Sequence, residues 1–385
     1  GHSTIRTAVI GPHNRKPTEE ELTKMKDHVR IAMEAGALGL STGLIYPPGA
    51  YADEDEIVAL CRVVAKYGGS YCSHMRSEGD GLLDSTREAI SIGKRAGIPV
   101  NISHIKVAGR KNWGKSEKLM ELIDAANASG MRVTADMYPY KAGATALASA
   151  IPPKHAADGQ AALVEKLKRP EFRAQVKEEL FNQTEDFENL ALYCGFDGMQ
   201  IIHSPDDAIR GKTVAQIAEA RGKDAFETFC DLIIETNGSA FCAYHMRRDT
   251  DIDAVFKHPM IMGGTDGGVD SPTFPVMHPR HFGTFPKLIK ELVREKQLVT
   301  LEEAIRKFCS LPAETGKLAT KGLLKEGYDA DLLIFDYDQM DHSADYFNPR
   351  GKNTGFKYVF VNGEIAVSDD VFTGVLNGRV LRSGQ

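Results

Sequence analysis

The chain has 385 residues, 42% hydrophobic and 26% charged, a balance ordinary for a globular enzyme and too polar for a membrane protein. A formal charge of −6 without a block of basic residues argues against broad nucleic-acid binding, and no apolar run reaches the span of a bilayer. The six cysteines (Cys61, Cys72, Cys194, Cys230, Cys242 and Cys309) have no CxxC or framework spacing, so they read as reduced core thiols and point to a cytoplasmic compartment.

Residues 7–10 form a short apolar run, and 19–35 read as an amphipathic helix entered through Pro17 and Thr18 and closed by Gly36. Strands follow at 38–44, 70–74, 100–105 and 131–137, separated by helices at 54–67, 82–96 and 115–128. Short apolar strands bounded by glycines and alternating with helices imply a parallel sheet covered by helices. The rhythm breaks after Tyr140, where residues 141–189 are rich in Lys, Glu and Ala and read as a helical insertion. Strands resume at 199–203 and 239–244, residues 260–263 lead into Asp266, and a helix at 301–308 closes the series. From about residue 319 the pattern changes to short strands and turns, with Asn362-Gly363 as a hairpin signal. The expected division is therefore 1–318, with an insertion at about 141–198, and 319–385 as part of a small β-sandwich.

Two strand ends carry the chemistry. Ser73-His74-Met75-Arg76 and Ser103-His104-Ile105-Lys106 each place a histidine two residues before a cation, on one face if the strand continues. A metal ligand beside a carboxylate-binding cation, repeated on the next strand, describes a metal site next to an anionic substrate. Asp266, in Gly264-Thr265-Asp266-Gly267, supplies a proton-transfer group or a further ligand. A lone histidine at a strand end is usually a hydrogen-bonded loop residue, and an aspartate in Thr-Asp-Gly is usually a turn residue. His74, His104, Tyr138 and Asp266 all standing at strand ends is what a (β/α)8 barrel active site requires.

These motifs, with Gly1-His2-Ser3-Thr4-Ile5-Arg6, residues 36–49, Asn112-Trp113-Gly114-Lys115, Ala135-Asp136-Met137-Tyr138-Pro139-Tyr140, residues 278–285 and Gly327-Tyr328-Asp329-Ala330-Asp331-Leu332, run in order through nearly the whole chain. Together they resemble the N-acyl-D-amino-acid deacylases (D-aminoacylases) of the amidohydrolase superfamily. The resemblance implies a barrel with a small β-sandwich, zinc held by His74 and His104, and Asp266 as general base and later acid. It implies that Lys106, Tyr138 and Arg280 hold the carboxylate and polarise the amide of an N-acyl-D-amino acid, with Tyr46 lining the same pocket.

Family members also carry a His-x-His strand and a strand with a metal-binding cysteine ahead of the matching region. Neither is in this sequence, so the expected fold is an incomplete (β/α)8 barrel with its first strands missing, with open edges, and unstable or inactive alone. Cys72 is on the face of His74 but one rung deeper, either a replacement ligand or a packed thiol. His203 and His245 fall outside the family motifs and read as structural, and His278 and His281 flank Arg280 and orient it. Lys154 either meets an acidic substrate side chain or solvates the first insertion helix. Two alternatives stay open: a hydantoinase- or dihydroorotase-like enzyme, disfavoured because the strand end Ser41-Thr42-Gly43-Leu44 lacks the lysine that bridges their metals, and a non-catalytic remnant that binds ligand without turnover.

Overall fold

The computed structural model describes residues 1–182, 187–268 and 277–383. Its first eight strands are β1 (Gly39–Gly43), β2 (Ser70–His74), β3 (Val100–Ile102), β4 (Val133–Met137), β5 (Ala142–Ala146), β6 (Met199–His203), β7 (Phe241–His245) and β8 (Ile261–Gly263). Five of them form a parallel sheet in the order β1-β2-β3-β4-β8, with β1 and β8 at its two ends.

The helices over this sheet follow from local chemistry. Glu19–Glu34 starts with a reciprocal cap between Thr18 and Glu21 and buries Met25, Val29 and Met33, one residue every fourth position. Leu82–Ala96 ends at Gly97, whose φ of +72° is a left-handed cap that a side chain would strain. Met25, Ile57, Leu60, Ile92, Ile123, Val133 and Ile261 are among the side chains that close the core between helices and sheet. The apolar run 7–10 instead closes the helix His2–Val9, with Ile10 as its C-cap, and the helix buries Arg6 and His2 against Glu56.

The insertion is larger than its composition implied. β6 and β7, read as strands that resume the parallel series, instead pair antiparallel in the order β5-β7-β6. This second sheet has its own core, in which Leu147, Leu167, Leu180, Met199, Ile201, Phe229 and Cys242 pack together. Residues 142–245 therefore leave the parallel sheet after β4, and the chain returns to it at β8, which pairs directly with β4.

Beyond the helix Ser310–Thr315, the chain forms β9 (Leu332–Phe335), β10 (Asp341–His342), β11 (Asn353–Thr354), β12 (Phe356–Val361), β13 (Glu364–Ser368) and β14 (Val371–Phe372). β9, β12, β13 and β14 make one antiparallel sheet. The β12–β13 hairpin turns at Asn362 (φ +48°) and Gly363 (φ +84°), the two positive φ values that the Asn-Gly pair signals.

Candidate active site

His74 is the last residue of β2. His104 lies two residues beyond the end of β3, where the backbone turns into the left-handed region at φ +37°. That conformation is costly for a histidine, and it is held by the Asp136 carboxylate, which accepts from the His104 backbone N at 2.7 Å. The two imidazoles consequently meet edge to face with centroids 4.4 Å apart. Burial, with His104 beside it, lowers the pKa of His74 to about 3, which keeps the ring neutral. Its Nε2 is sealed from solvent and has no hydrogen-bond partner among the described residues.

Lys106 does reach the site, though through the loop rather than by strand alternation, with Nζ 2.8 Å from His104 Nδ1. Its stronger partner is Glu78, whose Oε1 also lies 3.1 Å from His104 Nδ1. Burial raises the pKa of a carboxyl group, yet Lys106, with the hydrogen bond from His104, outweighs it and holds Glu78 well below the usual carboxylate range.

Asp266 ends the segment after β8 at φ +46° and forms an ion pair with Arg280, Nη1 to Oδ2 2.7 Å. Tyr138 is buried under three cations, Lys106 at 5.7 Å and Arg247 and Arg280 each at 5.1 Å from its ring centre. Tyr46 packs its ring 5.2 Å from that of His74 and donates its hydroxyl to Thr145 Oγ1 at 3.1 Å. His278 Nδ1 accepts from the backbone N of Arg280 at 3.0 Å, consistent with orienting it.

Tyr46, His74, Lys106, Tyr138, Asp266 and Arg280 thus line one cavity of about 260 Å³, with His104 against its histidine wall. The insertion supplies the opposite wall through Thr145, Leu190, Phe241 and Tyr244, with Met246 just beyond its end.

One reading needs correction. Arg76 does not share the site with His74: β2 stops at His74, and the guanidinium turns to Glu88 and to the carbonyls of Ala50 and Ala52. Lys154 pairs with Glu179 at 3.2 Å and lines a neighbouring cavity together with Arg76. Of the two readings of Cys72 the packed thiol holds: its Sγ faces Ser103 Oγ at 3.0 Å and takes no part in the histidine cluster. His203 and His245 end β6 and β7, outside the cavity, and His245 Nε2 is held by Gln200 at 3.0 Å.

Two participants carried signals that the motif reading passed over. Glu78 is an acid four residues after His74, and Arg247 belongs to an arginine pair one residue beyond β7. Arg247 is buried and donates to the carbonyls of Tyr138 and Tyr140, fixing the chain at the exit of β4.

The amidohydrolase family matches residues 1–367 of this sequence. The chain belongs to that family. A D-aminoacylase of Alcaligenes xylosoxydans xylosoxydans is 33% identical over 99% of this chain and 69% of its own length. An N-acyl-D-glutamate deacylase of the same organism is 32% identical over 99% of this chain and 68% of its own. Among solved structures, an N-acyl-D-glutamate deacylase from Bordetella bronchiseptica, complexed with zinc and a phosphonate mimic of the tetrahedral intermediate, superposes with a TM-score of 0.78. It is 30% identical and covers 95% of this chain and 67% of that one.

Proposed function

We propose that this amidohydrolase cleaves the amide bond of N-acyl-D-amino acids, releasing a carboxylate and a D-amino acid, with zinc as its metal. The observation that carries the reading is the convergence of Tyr46, His74, Lys106, Tyr138, Asp266 and Arg280 on one cavity, with His104 behind them. The histidine pair fits the metal, since His74 offers a neutral, buried Nε2 that has no protein partner among the described residues. Zinc bound there supplies Lewis acidity and a water of lowered pKa.

The remaining work falls to the chain's own side chains. The forked guanidinium of Arg280 holds the substrate's α-carboxylate through two oxygens. Lys106 and Tyr138 face the amide and donate to its carbonyl oxygen as negative charge develops there. Asp266 takes the proton of the attacking water on its carboxylate and returns it to the leaving nitrogen, so that one group serves as base and then acid. A substrate carboxylate on Arg280 competes with the present pair between Arg280 and Asp266, which leaves Asp266 free to act as the substrate seats.

The five-stranded parallel sheet is read as the larger part of a barrel, with residues 1–318 forming that unit and 319–385 part of a β-sandwich. The unpaired thiols favour a cytoplasmic setting. No described helix is long and apolar enough to cross a membrane.

Amine release from N-acetyl-D-leucine and N-acetyl-D-glutamate by the zinc-supplied chain, with the L-enantiomers as controls, tests the proposal. D-specific hydrolysis that disappears in His74→Ala and His104→Ala is the expected result. A chain that binds zinc yet releases no amine from either D-substrate rejects it.

A further inference from the structure

Ile45 borders three cavities. One is the candidate active site, and a second is the charged one that holds Arg76, Lys154 and Glu188. The third, of about 280 Å³, shares Ile45 and Tyr46 with the active site and is walled by Pro12, Pro47, Pro48, Ala146, Ile151 and Leu163. None of the residues that line it is charged, and Tyr46, Ser149 and Gln160 are its polar members. The Tyr46 hydroxyl donates to Thr145 and the Gln160 amide to the Asn237 carbonyl, so both are already engaged. A concave, largely apolar space beside a reaction centre takes an alkyl group out of water.

Which part of the substrate faces this space follows from where its two ends are held. With the α-carboxylate on Arg280 and the amide carbonyl at the histidine pair, the acyl chain starts on the histidine side. Tyr46 is the residue met there: its ring packs 5.2 Å from that of His74, and it lines both cavities. We propose that the cavity beyond Tyr46 is a subsite for the substrate's N-acyl chain, and that linear acyl groups are preferred to acetyl. The proposal rests on the deacylase reading of the active site. An apolar cavity of roughly 150 Å³ holds benzene, which scales this larger one to a chain of about six to eight carbons. The charged cavity is a poor host for such a chain, because an alkyl group there strips water from Arg76 and Glu188 and offers them no bond in return.

Hydrolysis of N-acetyl-, N-butanoyl-, N-hexanoyl- and N-octanoyl-D-leucine by the zinc-supplied chain tests the subsite. kcat/KM is expected to rise about two- to fourfold per added methylene as far as hexanoyl or octanoyl. Ala148 lines the cavity, and Ala148→Phe should remove most of that gain while acetyl turnover stays near wild type. Ala156→Phe, on the same wall, serves if the first variant does not fold. Calorimetry on the metal-free wild-type chain, where nothing is hydrolysed, should show octanoyl-D-leucine binding more tightly than acetyl-D-leucine, with the gap closing in either variant. A profile that is flat or falls beyond acetyl overturns the subsite and leaves the deacylase reading standing. Loss in the variants that follows side-chain length at fixed acetyl gives the cavity to the amino-acid side chain and also overturns it. If no member of the series is hydrolysed, the deacylase reading falls and the subsite with it.

Discussion

Asp266 and Arg280 hold each other at 2.7 Å, so each sets the other's availability. Asp266→Asn keeps the shape of the pair and removes the proton acceptor. Zinc content is expected to stay near wild type while kcat falls on the order of 10² or more; near-normal turnover would remove Asp266 from the base role. Arg280→Lys keeps the charge and loses the fork, so KM for the free acid should rise at least about tenfold. An unchanged preference for the acid over its methyl ester would place Arg280 outside the recognition step. A third residue gives a pH test. Burial, then the neighbouring Glu78, raises the Glu188 carboxyl well above its ordinary 4.5. The folded chain then binds more protons than the unfolded one above that value, and Glu188 costs stability as pH rises through its native pKa. Glu188→Gln should therefore melt higher than wild type near pH 8, by about 1–3 kcal/mol, with the difference closing toward pH 4; a gap that does not change with pH refutes this. At this scale the reading of the sequence reached the ligands and cations that sit in recognisable motifs. It missed Glu78 and Arg247, whose roles depend on which buried charge they meet, and spacing along a chain does not reveal that.

At the scale of elements, the agreement and the failures have one cause. Helices such as Glu19–Glu34 and Leu82–Ala96 were legible because their caps and four-residue apolar spacing are local properties. Thr18→Ala should accordingly cost about 1 kcal/mol in denaturant unfolding, since it removes the hydroxyl that accepts from the Glu21 backbone N, one half of the capping box; no loss would mean that the helix start is held by packing instead. The placement of β6 was not legible. Its residues 199–203 read as a buried strand, and they are one, but an apolar run does not say which sheet it joins or in which direction. Strand alternation failed for Arg76 for a related reason: the two-residue period lasts only as long as the strand, and β2 ends at His74.

For the molecule as a whole, a metal binding only the folded state stabilises it by mass action. Zinc at 100 times its Kd should add about 2.7 kcal/mol, a rise in Tm that a chelator reverses; a melting curve indifferent to both would exclude zinc from the native site. The wall formed by Leu190, Phe241, Tyr244 and Met246 is largely apolar, while Lys154 is paired with Glu179 outside the cavity. N-acetyl-D-leucine should therefore be preferred to N-acetyl-D-glutamate, and Lys154→Ala should leave that ratio unmoved. A preference for glutamate that Lys154→Ala abolishes would return the lysine to the site.

The departure of residues 142–245 from the parallel sheet between β4 and β8 gives the molecule a division of labour. Every group assigned to proton transfer, metal binding or carboxylate binding is carried outside that segment, whereas the segment contributes the facing wall and two polar props, Thr145 for the Tyr46 hydroxyl and Glu188 for the Glu78 backbone. It also folds around a core of its own. Substrate range and reaction chemistry can then drift separately wherever changes in the insertion keep those two props. An exchange of this one segment between relatives is the natural route to a new specificity on an unaltered catalytic chassis.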